Sequence, residues 1–146
     1  MKATSIFITI LFASALLAGC ATTEKEMHLS QFIESHVELV KPIAKEAALA
    51  SWDAAVSGNE ADYNRLSELT LQIRQIYSDP VRFAFLKEMR ESGLIEDPLL
   101  ARQLHVLYDG YLSNQIEPEL LKKTVDLGVQ IEQNFSVFRG TIDGKT

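Results

Sequence analysis

The sequence predicts an all-α protein of about five amphipathic helices in an antiparallel bundle-like array, placed after a cleaved signal segment. Apolar residues recur at every third or fourth position from Leu29 onward, which is the spacing of one helix face. Several turns carry an acidic residue followed directly by proline, a typical helix start. No stretch alternates apolar and polar residues long enough to predict a strand.

The first predicted helix begins near Leu29, with Ser30 as its cap, and ends at residues 57–59, Ser-Gly-Asn. Pro42 lies inside this stretch and has no amide proton to donate. We therefore expect the helix to kink or restart there.

Four further helices follow from start signals and apolar spacing. The second covers about residues 60–77, the third begins at Pro80 and ends near residue 92, the fourth begins at Pro98, and the fifth begins at Pro118. The acids before these prolines can accept hydrogen bonds from free amides of the first turn. After Arg139 the chain reads GTIDGKT, an open turn behind a long amphipathic helix, from which we expect a missing continuation.

The amino terminus has the layout of a secretory signal. Lys2 precedes an apolar run of about 13 residues, from Ile6 to Ala18, which is shorter than the roughly 20 residues of a transmembrane helix. The next residues, Gly19 and Cys20, complete the string LAGC. This string resembles the lipobox of bacterial lipoproteins. The resemblance implies cleavage before Cys20 and acylation of that cysteine.

The sequence thus divides into a signal peptide (1–19), a lipidated tether (20–28) and one helical domain (29–146). Acyl chains on Cys20 would hold the protein on a membrane without a spanning helix. Ala21 follows the cysteine where the lipoproteins retained in the inner membrane carry aspartate. The resemblance therefore implies an outer-membrane protein facing the periplasm. The alternatives are a signal without lipid attachment and a buried free thiol.

The charge balance excludes nucleic acid as a partner. The formal net charge is −6 and no run of lysine or arginine interrupts the acidic surface, so a phosphate backbone would be repelled. With one cysteine, no intramolecular disulfide can form.

The sequence offers no catalytic or metal-binding constellation. His28, His36 and His105 form no ligand pair four residues apart, and the HExxH motif is absent from the sequence. We expect His28 in solvent, and the other two histidines at the border of the core with their ring nitrogens satisfied. No nucleophile turn and no phosphate-binding glycine loop is present in the sequence. We therefore predict no catalytic residue, no metal ligand and no cofactor in this chain.

Most aromatic residues are predicted to fill the core. Trp52, Arg102 and Arg139 are the candidates for contact with a substrate channel or a neighbouring domain. Each arginine stands beside an apolar stripe, where it either pairs with an acid across a helix interface or faces that neighbouring domain.

Four segments in order resemble the amino-terminal region of the angiotensin-converting-enzyme-like zinc peptidases. They are ALASWDAAVSG (48–58) with NEADY (59–63), SDP (78–80), DPLLARQL (97–104) with LY (107–108), and FSVFRGTIDGK (135–145). In that family these helices form a lid beside a deep channel. The zinc ion is held far downstream by an HExxH helix and a further glutamate, and none of those ligands maps to this sequence.

The resemblance implies a non-catalytic, lipid-anchored lid segment of a peptide-cleaving zinc metallopeptidase. Zinc is then expected only in a full-length family member, and the partners are the membrane and the missing peptidase region. The alternative is a stand-alone helical-bundle lipoprotein that binds a protein or peptide. An autonomous hydrolase is the third and weakest hypothesis, because zinc-bound water needs a ligand set that this sequence lacks.

Overall fold

The computed structural model describes the backbone of residues 2–140 and the side chains of residues 22–140. Within these residues the fold is all-α and bundle-like, which confirms the predicted class. The elements are α1 (Lys2–Ser57), α2 (Glu60–Tyr77), α3 (Pro80–Ser92), α4 (Pro98–Leu112) and α5 (Pro118–Val137). The predictions for the signal segment and for lipid attachment at Cys20 concern side chains outside the described residues.

Helix α1 is the longest element, and the other helices are arranged along it. Helix α2 packs on α1, α5 packs mainly on α2, and α3 and α4 pack on each other and, through α4, on α1. Where side chains are described, no helix combines the length and the apolar content that a membrane-spanning segment needs.

Two buried clusters lie at different levels of α1. The first core contains Leu29, Leu86, Met89, Leu104 and Tyr111. The second core contains Ala50, Ala54, Tyr63 and Leu66. In the second core the two alanines lie four residues apart on one face of α1, so the larger side chains of α2 can approach closely. The carboxyl-terminal half of α1 is thereby fixed against α2.

Helix α1 departs from the sequence prediction at its start. Ser30 does not cap a helix, because residues 22–28, expected as a tether, are already helical. The Glu26 carboxylate accepts hydrogen bonds from the backbone amides of Glu96 (2.9 Å) and Asp97 (2.8 Å), and Lys25 forms an ion pair with Glu88. These contacts join the stretch to α3 and to the α3–α4 loop.

Pro42 does not interrupt α1, so the predicted restart at this position is wrong. Pro42 and Glu38, one turn earlier, are both exposed. The carbonyl group of Glu38, which has no amide partner at position 42, can therefore be hydrated by solvent. This lowers the cost of a proline inside the helix.

The starts of α3 and α4 agree with the prediction. One oxygen of Asp79 accepts from the amides of Val81 (2.8 Å) and Arg82 (3.1 Å). Asp97 caps α4 in the same way, at 2.9 and 2.8 Å. Helix α5 also begins with proline, but the Glu117 side chain makes no capping bond. Helix α3 ends at its C-cap residue Gly93, whose backbone lies in the left-handed region at φ 65°.

Candidate functional site

The residues predicted to contact a substrate channel or a neighbouring domain do not form one site. Trp52 is 72% exposed on the carboxyl-terminal half of α1. Arg139 follows α5, whose end lies beside the end of α1: a Cβ atom at Gly58 would meet Val137 Cγ1 at 3.2 Å. Arg102 lies elsewhere, on α4, where it lines a groove shared with residues 33–37 near the middle of α1.

Neither arginine pairs with an acid among residues 22–140. Arg139 instead donates to the backbone carbonyl oxygens of Ser136 and Phe138, both at 2.9 Å. Arg102 is exposed. Of the two roles considered for these charges, pairing across a helix interface is therefore not found in the described part of the chain.

His36 is buried beside the first core, with 3% of its surface exposed. Its Nδ1 atom lies 3.1 Å from the Tyr111 hydroxyl, and its Nε2 atom lies 3.2 Å from the Tyr77 hydroxyl. The imidazole thus has a partner on each nitrogen, as predicted. His105 differs from the prediction: it is exposed on α4 and pairs with Asp109 at 3.5 Å, because its position on the helix faces solvent.

The surroundings of His36 disfavour its charged form. Burial lowers the pKa of His36 below its usual 6.5, and the nearby Arg82 guanidinium lowers it further. Burial raises the pKa of Tyr77 and of Tyr111, and Arg82 opposes part of that rise at Tyr111. The cluster therefore consists of a neutral imidazole between two neutral phenols, a structural hydrogen-bonded unit in the core.

No three His, Cys, Asp or Glu side chains within residues 22–140 stand close enough together to hold a metal ion.

An apolar stripe, which we call the α5 apolar face, is exposed along α5 and at the residue that follows it: Leu120, Leu127, Ile131, Phe135 and, after the helix, Phe138. Phe135 is 85% exposed and Phe138 is 73% exposed. Most described aromatic residues do pack in or against the two cores, as predicted, and these two, like Trp52, are the exceptions. The four residues within the helix fall on one side of it at 100° per residue and so form a strip, and Phe138 follows as the extended residue that ends the helix. No described helix covers this strip.

A separate groove, the α1–α5 groove, lies between α1, α2 and α5 and has a volume of 320 Å³. Its apolar lining includes Leu66, Leu121 and Val125, which are buried. Two charged side chains, Arg74 and Glu132, also line it. Such a combination of apolar walls and few charged groups is typical of small-ligand sites.

Compared with known proteins, the chain matches no family model, no curated protein and no solved structure.

Sequence reasoning missed two features of these surfaces. The partners of His36 lie 41 and 75 residues away in sequence, on α2 and α4, and no local signal joins them. On α5, a spacing of three or four residues in the sequence places Leu121, Val125, Gly128, Ile131, Phe135 and Phe138 on one broad face. The structure buries the first two residues and exposes the other four, because only one edge of that broad face packs on α2.

Proposed function

We propose that this chain is the non-catalytic amino-terminal helical lid of a lipid-anchored zinc metallopeptidase that cleaves peptides. The zinc ligands and the general base would belong to polypeptide outside this sequence. The observation that carries the proposal is the α5 apolar face, which has no covering element among the described residues.

The size of the α5 apolar face supports a partner. Its two phenylalanines, two leucines and one isoleucine are each about half exposed or more, which leaves on the order of 600 Å² of side-chain surface in contact with water. An apolar patch of this size is at the upper end of what a soluble monomer exposes and marks an interaction surface. A larger helical body that packs on α5 would cover it.

The four sequence motifs, in their order, support a peptidase region as this partner. The four segments that resemble the zinc peptidases span residues 48–145, and the third predicted segment begins with the Asp97 cap of α4. Since residues 22–140 contain no group suited to a metal, the activity would depend on the covering region. The lid would supply shape and apolar surface to that region.

Membrane attachment belongs to the same proposal and has its own test. Acyl chains on Cys20 would anchor the protein to the outer membrane on the periplasmic side. Cells fed a labelled fatty acid should incorporate it into the wild-type chain and not into a Cys20→Ser variant. A wild-type chain without label, or a variant that keeps the label, would exclude the anchor.

The reading frames downstream of this coding sequence test the metallopeptidase proposal. We expect an HExxH-containing helical region there, in frame or frame-shifted. Co-expressed with the present chain, that region should co-purify with it, and Phe135→Glu should reduce the co-purified amount at least about tenfold by placing a charge in the buried interface. Gln130→Glu adds the same charge to an exposed position beside the apolar face and is the matched control.

The alternative is a stand-alone lipoprotein bundle that binds a protein or peptide partner. The specific observation in its favour is that α1 carries two buried cores and that α3 and α4 begin with side-chain caps. Such a bundle would be stable without a covering region. Absence of any HExxH region downstream would favour this alternative over the lid.

A further inference from the structure

We propose that the α1–α5 groove binds a short peptide with free ends, its terminal carboxylate at Arg74 and its terminal ammonium group at Glu132. This site goes beyond the proposed function, because it lies wholly within this chain and needs neither zinc nor the covering region. On α5 its lining, which includes Gly128 and Glu132, adjoins the α5 apolar face and contains none of the residues of that face.

The groove has the shape of a ligand site. Its volume of 320 Å³ falls at the lower end of the roughly 300–1,000 Å³ of small-molecule pockets. Gly128 forms part of the wall, and a Cβ atom there would meet no atom within 4 Å. The groove is therefore open at the middle of α5, where a side chain would otherwise stand.

The cation at one end is held in place and keeps free donors. Arg74 Nη1 donates to Asn114 Oδ1 at 3.1 Å, and the buried Asn114 in turn donates from Nδ2 to the Gly110 carbonyl at 2.7 Å. Arg74 has no ion pair with an acid among the described residues. Since a guanidinium carries five N–H groups, donors remain for a carboxylate.

The acid is at the opposite end of the groove. Helices α2 and α5 run antiparallel, because Ser67 Oγ donates to Asp126 Oδ1 at 2.8 Å while Arg74 lies beside the turn before α5. In this register Arg74 is level with Glu119, about 13 residues and thus roughly 20 Å along the axis from Glu132. Glu132 is exposed and has no ion pair with a base within residues 22–140.

This separation sets the length of the ligand. An extended chain advances about 3.3–3.6 Å per residue, and both charged side chains can lean inward, so about four to six residues fit between them. The apolar floor of Leu66, Val125 and Val129 suits small aliphatic side chains. The hydroxyl groups of Ser51 and Thr70 also line the groove and can bond to peptide amides.

The pair of opposite charges selects among ligand classes. A fatty acid would satisfy Arg74 and leave Glu132 facing an uncharged chain, and a nucleotide would place its phosphates near that acid. A zwitterionic peptide satisfies both groups, and it runs antiparallel to α5, with its carboxylate near the start of that helix.

The test uses the full 146-residue chain in detergent and a five-residue peptide of alanine and valine, titrated by calorimetry. We expect saturable binding of the peptide with free ends. Amidation of its carboxyl end should weaken binding about tenfold in the wild type and have no further effect in Arg74→Gln. Acetylation of its amino end should likewise weaken binding about tenfold in the wild type and have no further effect in Glu132→Gln.

Substitutions at Gly128 test the location. Gly128→Leu fills the open wall and should weaken binding at least about tenfold, while the control Gln130→Leu, which adds the same side chain at an exposed α5 position outside the groove, should stay within about twofold. Lack of saturable binding by the wild type, equal binding of free and blocked peptides, or full affinity in Gly128→Leu would each overturn the site. None of these results bears on the downstream reading frame, so failure here is distinguishable from failure of the lid proposal.

Discussion

His36 Nδ1 and the Tyr111 hydroxyl oxygen lie 3.1 Å apart, and this contact joins α1 to α4 inside the first core. The other ring nitrogen of His36 meets the Tyr77 hydroxyl of α2 at 3.2 Å. A neutral imidazole has one donor and one acceptor, so one phenol accepts from the ring and the other donates to it. A single side chain therefore connects three helices.

The first prediction concerns the pH dependence of stability. The folded-state pKa of His36 is lowered below 6.5, so its neutral form stabilises the fold above about pH 6.5, and this contribution is lost as the pH falls toward the lowered value. We expect the free energy of unfolding, measured by urea titration, to be lower at about pH 5.5 than at about pH 7.5.

The two phenols bonded to His36 do not titrate in this range, because burial raises the pKa values of Tyr77 and Tyr111 above their usual 10.0. His36→Gln should lower stability by about 1–3 kcal/mol at neutral pH and reduce the pH dependence. The control His105→Gln, at an exposed site, should change neither. An unchanged pH dependence in His36→Gln would contradict this assignment.

The second prediction concerns the helix caps. Asp79→Ala and Asp97→Ala each remove an oxygen that accepts from two backbone amides, so each should lower the free energy of unfolding by about 1 kcal/mol. Glu117→Ala is the matched control at α5, where the side chain makes no capping bond, and should change stability little. Equal losses at all three positions would show that the capping bonds are not responsible.

The third prediction contrasts two helical glycines. Gly128→Ala should stabilise the protein by about 0.5–1 kcal/mol, because alanine favours the helix and its Cβ meets no atom within 4 Å. At Gly110 the same Cβ would lie 3.1 Å from the Tyr77 ring, so Tyr77 would have to shift and strain its bond to His36. In thermal melts, the melting temperature of Gly128→Ala should therefore be higher than that of the wild type, and that of Gly110→Ala should be lower than that of Gly128→Ala. The reverse order would contradict this packing.

Local sequence signals predicted the parts of the fold that local physics determines. The Asp-Pro starts at residues 79–80 and 97–98 define their helices through amides one turn away, and both are found. The start of α1 was not predictable in this way. Residues 22–28 are held by Glu26 and Lys25 against α3 and the α3–α4 loop, and such contacts depend on the tertiary arrangement.

The candidate surfaces were predicted less well for a related reason. Periodicity shows that Phe135 and Phe138 share a face, but it does not show what covers that face. The two are exposed, although most aromatic residues were expected in the core. The α1–α5 groove depends on the register of α2 against α5, which the Ser67–Asp126 hydrogen bond reveals only in the structure.

The most direct test of the lid proposal is the binding of a hydrophobic dye to residues 21–146, expressed without signal segment or lipid. We expect strong dye fluorescence from the exposed α5 apolar face, reduced by Phe135→Glu and unchanged by Gln130→Glu. A wild-type chain that melts cooperatively as a monomer and binds no dye would contradict it. That result would favour a self-sufficient bundle.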